Sequence, residues 1–102
     1  MKPQLVDARP EADFERGHLA GAVSLAPDAV LVFAECELPL KSRELLVYGA
    51  KSNDEATLQT LAELLKLGFE NVEAAPFGFD EPNGEFAIEV GPARWEITGC
   101  GG

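Results

Sequence analysis

The places where this sequence could do chemistry are few. It holds one histidine, His18, and two cysteines, Cys36 and Cys100. It also holds a polar loop, Gly49-Ala50-Lys51-Ser52-Asn53, between a strand-like run and a helix-like one. The run Leu45-Leu46-Val47-Tyr48 reads as a strand buried on both faces. Leu58, Leu61, Ala62 and Leu65 recur at helical spacing beyond the loop. Ser52 with Glu55 has the form of a capping box, and Gly68 supplies a stop. Strand, tight loop and helix start aim backbone N–H groups and the positive helix end at one point above the sheet. An α/β protein holds an anion or a nucleophile there. Yet Gly49 stands first in the loop, and no Cys, His or Arg lies between Gly49 and Gly68.

The remaining candidates are scattered. His18 is expected to fix a turn by hydrogen bonding, since no nucleophile is near it in sequence. Asp7 and Arg9 are expected to form a structural ion pair. Cys36 reads as a buried small hydrophobe. Neither cysteine has zinc or CxxC spacing, no disulfide is suggested, and neither a metal site nor a cofactor is read. The Leu58, Leu61, Leu65 stripe is expected to be core, together with Leu5, Phe14, Leu46 and Val72.

The elements that must position these residues follow in order. Leu5 to Ala8 is a short strand, and Glu11 to Arg16 a short helix around Phe14 with Gly17 as its stop. His18 to Gly21 reads as a turn and Ala22 to Ala26 as a strand. Asp28 reads as an N-cap for a helix running to about Glu37 and ended by Pro39. Asn71 to Ala75 is a strand. Asn83-Gly84 signals a hairpin turn that would fold Glu85 to Val90 back antiparallel beside Asn71 to Ala75, with Phe86, Ile88 and Val90 on one apolar face. Trp95 and Ile97 are expected to pack on the body, with residues 98–102 a loose tail. Alternating strands and helices imply a small, mostly parallel sheet flanked by helices on both faces, with a C-terminal antiparallel edge strand.

At 102 residues the chain reads as one domain, 1–102. A formal charge of −10 excludes nucleic acid and anionic membranes as partners. The short polar start and the lack of a long apolar run make a soluble cytoplasmic protein the expectation.

With these residues placed, the chain resembles the rhodanese-like family. LVDARPEADFERGHLAGAVSLAP is similar to that family's first signature through Asp7, Arg9, Phe14, Gly17, His18, Leu19, Gly21 and Ala22, with Ala20 in place of the usual Pro. ELLVYGAKSNDEA followed by LLKLGFENVEAA resembles the strand, Cys loop, helix and following strand. The resemblance spans Leu5 to Ala75. It implies sulfur transfer through a loop Cys that carries a persulfide, its thiolate stabilised by loop N–H groups and the helix start. In the same correspondence the Cys falls on Gly49 and a frequent Arg falls on Asp54, so the active-site-like loop is Gly49, Ala50, Lys51, Ser52, Asn53 and Asp54. The family's usual ending, a Gly-Gly pair and a Trp-bearing helix, is replaced by Pro76 to Val90.

Two functional expectations follow. One is a non-catalytic binding or regulatory module that meets an unknown protein or a small sulfur-containing ligand through the loop face. The other is a sulfurtransferase or sulfur carrier whose working thiol is Cys100, in the tail Thr98-Gly99-Cys100-Gly101-Gly102.

Overall fold

The structure is a computed structural model that describes residues 2–81 and 86–93. Strand β1 is Gln4–Asp7, helix α1 Glu11–Arg16, β2 His18–Leu19 and β3 Val23–Ser24. A 3-10 turn at Pro27–Ala29 leads into α2, Val30–Glu37. Strand β4 is Leu45–Tyr48, α3 Glu55–Lys66, β5 Val72–Ala74 and β6 Ile88–Glu89. The main sheet runs β3-β1-β4-β5, with every neighbouring pair parallel. The expected parallel α/β architecture is therefore present.

Alternation along the central strands divides the core. Val6, Leu45 and Val47 point to the side packed by Val30, Ala34 and Leu38 of the α2 region and by Leu64 and Phe69 of the α3 region. Leu5 and Tyr48 point to the other side, where Leu19, Ala75, Phe77, Phe79 and Phe86 join them. The segment after β5 thus closes this second face with aromatic side chains. Among the described residues, no helix is long and apolar enough to cross a membrane.

Several expectations need correction. The antiparallel strand exists, but β6 pairs with β2, His18 opposite Glu89 and Leu19 opposite Ile88, rather than with Asn71 to Ala75. His18-Leu19 is consequently a strand and not a turn. Ile88 and Val90 are exposed, because a two-residue ribbon at the periphery has no second layer over it. Asp28 lies inside the 3-10 turn, and no side chain caps α2. Helix α3 turns Thr57, Thr60 and Leu64 inward, leaving Leu58 and Leu65 each 49% exposed. The threonines are tolerated there because their hydroxyls are satisfied. Thr60 Oγ1 donates to the Leu25 carbonyl at 2.9 Å. Cys36 is exposed and disulfide-bonded, since its turn of α2 directs Ala34 and Leu38 to the core instead. Leu5 and Phe14 are buried as expected, and Leu46, Leu61 and Val72 are half-buried. The Asn83-Gly84 turn, Trp95, Ile97 and Cys100 lie outside the described residues.

Candidate functional site

The loop leaves β4 at Gly49, beyond the carboxyl end of the parallel sheet, and enters α3 at Glu55. Tyr48 is buried, and its hydroxyl donates to Asp7 Oδ2 at 2.8 Å while accepting from the Leu19 N–H at 3.1 Å. Burial first, and then the Asp7 charge, push the Tyr48 phenol well above its ordinary range. Asp7 also holds Arg9, whose Nη2 lies 2.8 Å from Oδ2 and also donates to the Gly17 carbonyl. The Arg9 guanidinium stacks 3.8 Å over the ring of Phe79. Asp7 and Arg9 thus form the expected structural pair, and they tie β1 to the segment that covers the loop.

His18 is likewise structural. Its Nδ1 donates to the Phe14 carbonyl at 2.8 Å, and its ring stacks on Phe14 at 3.7 Å. Its Nε2 is 3.6 Å from Glu89 Oε1 on β6.

The loop's own donors are the decisive part of the geometry. The Asp54 carboxylate turns back into the loop and accepts from the N–H groups of Ala50 at 3.1 Å and Lys51 at 3.2 Å. It also accepts from Thr57 N at 3.0 Å and Thr57 Oγ1 at 2.7 Å. Asp54 is therefore the N-cap of α3, which corrects the Ser52–Glu55 capping box. Ser52 N instead donates to Glu81 Oε1 at 3.0 Å, and Gly78 N donates to the same oxygen at 2.7 Å. Backbone donors that could face an incoming anion thus meet two carboxylates of the chain itself. Asn53 completes the turn in the left-handed region at φ 54°, which Asn adopts more readily than most residues.

Burial alone would raise the Asp54 pKa. The hydrogen bonds from Thr57, Lys51 and Ala50 outweigh it and hold the carboxyl below its usual value. A depressed folded pKa gives stabilisation that is fully present above the unfolded value, about 3.9. That stabilisation is lost as pH falls through the lower folded value. Asp54→Asn should therefore flatten the loss of stability on the acid side, measured as urea midpoints along a pH series. Parallel curves for the two proteins would contradict this.

Two glycines make the arrangement possible. A Cβ at Gly49 would stand 2.3 Å from Asp54 Oδ1 and 2.6 Å from Thr57 Oγ1. A Cβ at Gly78 would stand 2.3 Å from the Lys51 Cα, because residues 78–81 lie directly on the loop. Phe79 N and Asp80 N donate to the carbonyls of Gly49 and Ala50 at 2.8 and 2.9 Å. Glu81, Thr57 and Gly78 were missed in the sequence. Only the Gly and Pro richness of Pro76 to Gly84 hinted at a close approach of backbones. Among the described residues, no group of His, Cys, Asp and Glu side chains is placed to hold a metal ion.

The comparisons with known proteins agree with this architecture. The family model described as "Rhodanese-like domain" matches residues 1–81. The chain belongs to the rhodanese-like domain family. A rhodanese-like domain of an Anabaena sp. protein superposes with a TM-score of 0.72 at 29% identity, covering 87% of this chain and all of that one. A rhodanese from E. coli, solved with anions, gives a TM-score of 0.71 at 18% identity, covering 88% of this chain and 100% of that chain. The thiosulfate sulfurtransferase of Pseudomonas aeruginosa gives 0.67 at 21% identity, and the match spans only 14% of that protein's length. The last two likenesses show the rhodanese fold alone. No curated protein matches the chain significantly.

Proposed function

We propose that this rhodanese-like domain is a binding or regulatory module that does not transfer sulfur at its loop. In this reading Gly49 occupies the family's sulfur-bearing position and offers no side chain for a persulfide. The observation that carries the proposal is the Asp54 carboxylate, which accepts from Ala50 N, Lys51 N and the α3 start. A thiolate or thiosulfate would compete for donors that an internal anion already holds at no translational cost. The loop face, with Lys51 and Asn53 exposed, then serves recognition of a protein more readily than of a small anion.

The test is a thiosulfate-to-cyanide assay on the purified chain and on Cys100→Ser, each first reduced because Cys36 is disulfide-bonded. No turnover above the uncatalysed rate is expected from either. Turnover that persists in Cys100→Ser would overturn the proposal, and turnover abolished by that change would support the tail cysteine as a sulfur carrier instead.

A further inference from the structure

Beside the loop, at the same end of the sheet, a groove of about 720 Å³ opens between the starts of α2 and α3. Its lining is largely apolar and includes Ala8, Ala29, Ala56 and the ring of Phe33. Val32 stands on its wall, 61% exposed, next to Leu31, 75% exposed on the same helix. Its rim is acidic. Glu11, Asp28 and Glu55 come from three different elements, all are exposed, and none forms an ion pair among the described residues. Among the described residues, Glu55 accepts only from Gln59, a neutral side chain on its own helix. An exposed aliphatic wall inside a ring of uncompensated carboxylates is an arrangement that folding alone does not require.

We propose that this groove binds a short protein segment carrying one or two aliphatic side chains flanked by Lys or Arg. The volume falls in the range of small-ligand sites and suits a pair of aliphatic side chains. The alanines and Phe33 give those side chains an apolar surface to pack on. The carboxylates then meet the flanking cations, supplying orientation and encounter rate. Charge selects against the other occupants. A second copy would bring the same acidic rim against itself, since a two-fold contact pairs like with like. Anionic lipid and nucleic acid are repelled by the rim and by the chain's net charge of −10. The groove adjoins the loop through Glu55, one residue after Asp54, so a bound segment would also reach the loop face.

The proposal rests on the binding reading above, and the two fail separately: a failed peptide titration leaves the cyanide assay's result standing. The probe is a fluorescein-labelled peptide Gly-Arg-Lys-Leu-Leu-Lys-Arg-Gly, titrated against the full chain by fluorescence polarisation. Saturable binding is expected, weakened about tenfold by Val32→Gln and by the pair Asp28→Lys and Glu55→Lys. The distant pair Glu70→Lys and Glu73→Lys makes the same change in net charge and should leave affinity within about twofold at moderate salt. Thermal melts confirm that each variant is folded. Absence of saturable binding would overturn the proposal, as would equal weakening by the distant pair. So would a concentration-dependent dimer in sedimentation that Val32→Gln dissolves, because the groove would then belong to a second copy.

Discussion

Gly49→Cys is expected to give a less stable domain that still transfers sulfur poorly, and adding Asp54→Ala should speed the transfer at little further cost in stability. The new Cβ would lie 2.3 Å from Asp54 Oδ1, so the carboxylate must leave its place. Leaving it strips the acceptor from Ala50 N, Lys51 N and Thr57 N, at a cost of about 1–3 kcal/mol together with the overpacking. A carboxylate held near the thiol also raises the thiol's pKa and depletes the nucleophile. With Asp54→Ala the cradle is open and its N–H groups face the sulfur. The double variant should therefore transfer sulfur from thiosulfate to cyanide on the order of tenfold faster than Gly49→Cys alone, equivalent to about 1.4 kcal/mol. Asp54→Arg should do better still at low salt and lose part of that advantage as salt rises. In stability, Asp54→Ala should cost less in the Gly49→Cys background than in the wild type, a coupling that a double-mutant cycle measures. Equal rates with no coupling would show that loop shape, not the carboxylate, limits transfer in these variants.

The second large effect concerns the inner face of α3. Leu64 is fully buried against Val6, Val47 and Phe69, whereas Leu58 is 49% exposed. Leu64→Ala should cost about 2–5 kcal/mol through lost burial and a residual cavity. Leu58→Ala should cost well under half of that, and half-buried Leu61 should fall between. Urea denaturation of the three variants decides the matter. A larger loss at Leu58 than at Leu64 would mean that the helix is rotated from the position described.

These two effects mark where the sequence was readable and where it was not. The apolar run Leu45 to Tyr48, the glycine stop at Gly68, with φ +97°, and the Asp7–Arg9 pair are set by local patterns and were legible. The inward face of α3 was not. Hydropathy favours Leu58 and Leu65 over Thr57 and Thr60, and nothing local reveals that distant or folded-back acceptors satisfy the threonine hydroxyls. The cap was misread for a related reason. Ser52, Asn53 and Asp54 all have capping side chains. The choice among them depends on Glu81, 29 residues further on, taking the Ser52 N–H and leaving Asp54 the others. The pairing of β6 with β2 rather than with β5 is also long-range, since Ala20 N donates to the Ala87 carbonyl to extend that ribbon. The groove beside the loop left no motif, because it is assembled from single residues of separate elements.

The loop's occupation by its own carboxylates is the centre of the functional reading, and backbone amide shifts report on it directly. The measurement is a thiosulfate titration of 15N-labelled wild type and Asp54→Ala, followed at the amides of Ala50, Lys51 and Thr57. The wild-type amides should stay in place, because Asp54 already accepts from each of them. The same amides in Asp54→Ala should move and saturate as the anion takes the vacated position. Saturable shifts at these amides in the wild type, equal to those of the variant, would contradict the account and reopen the loop as an anion site.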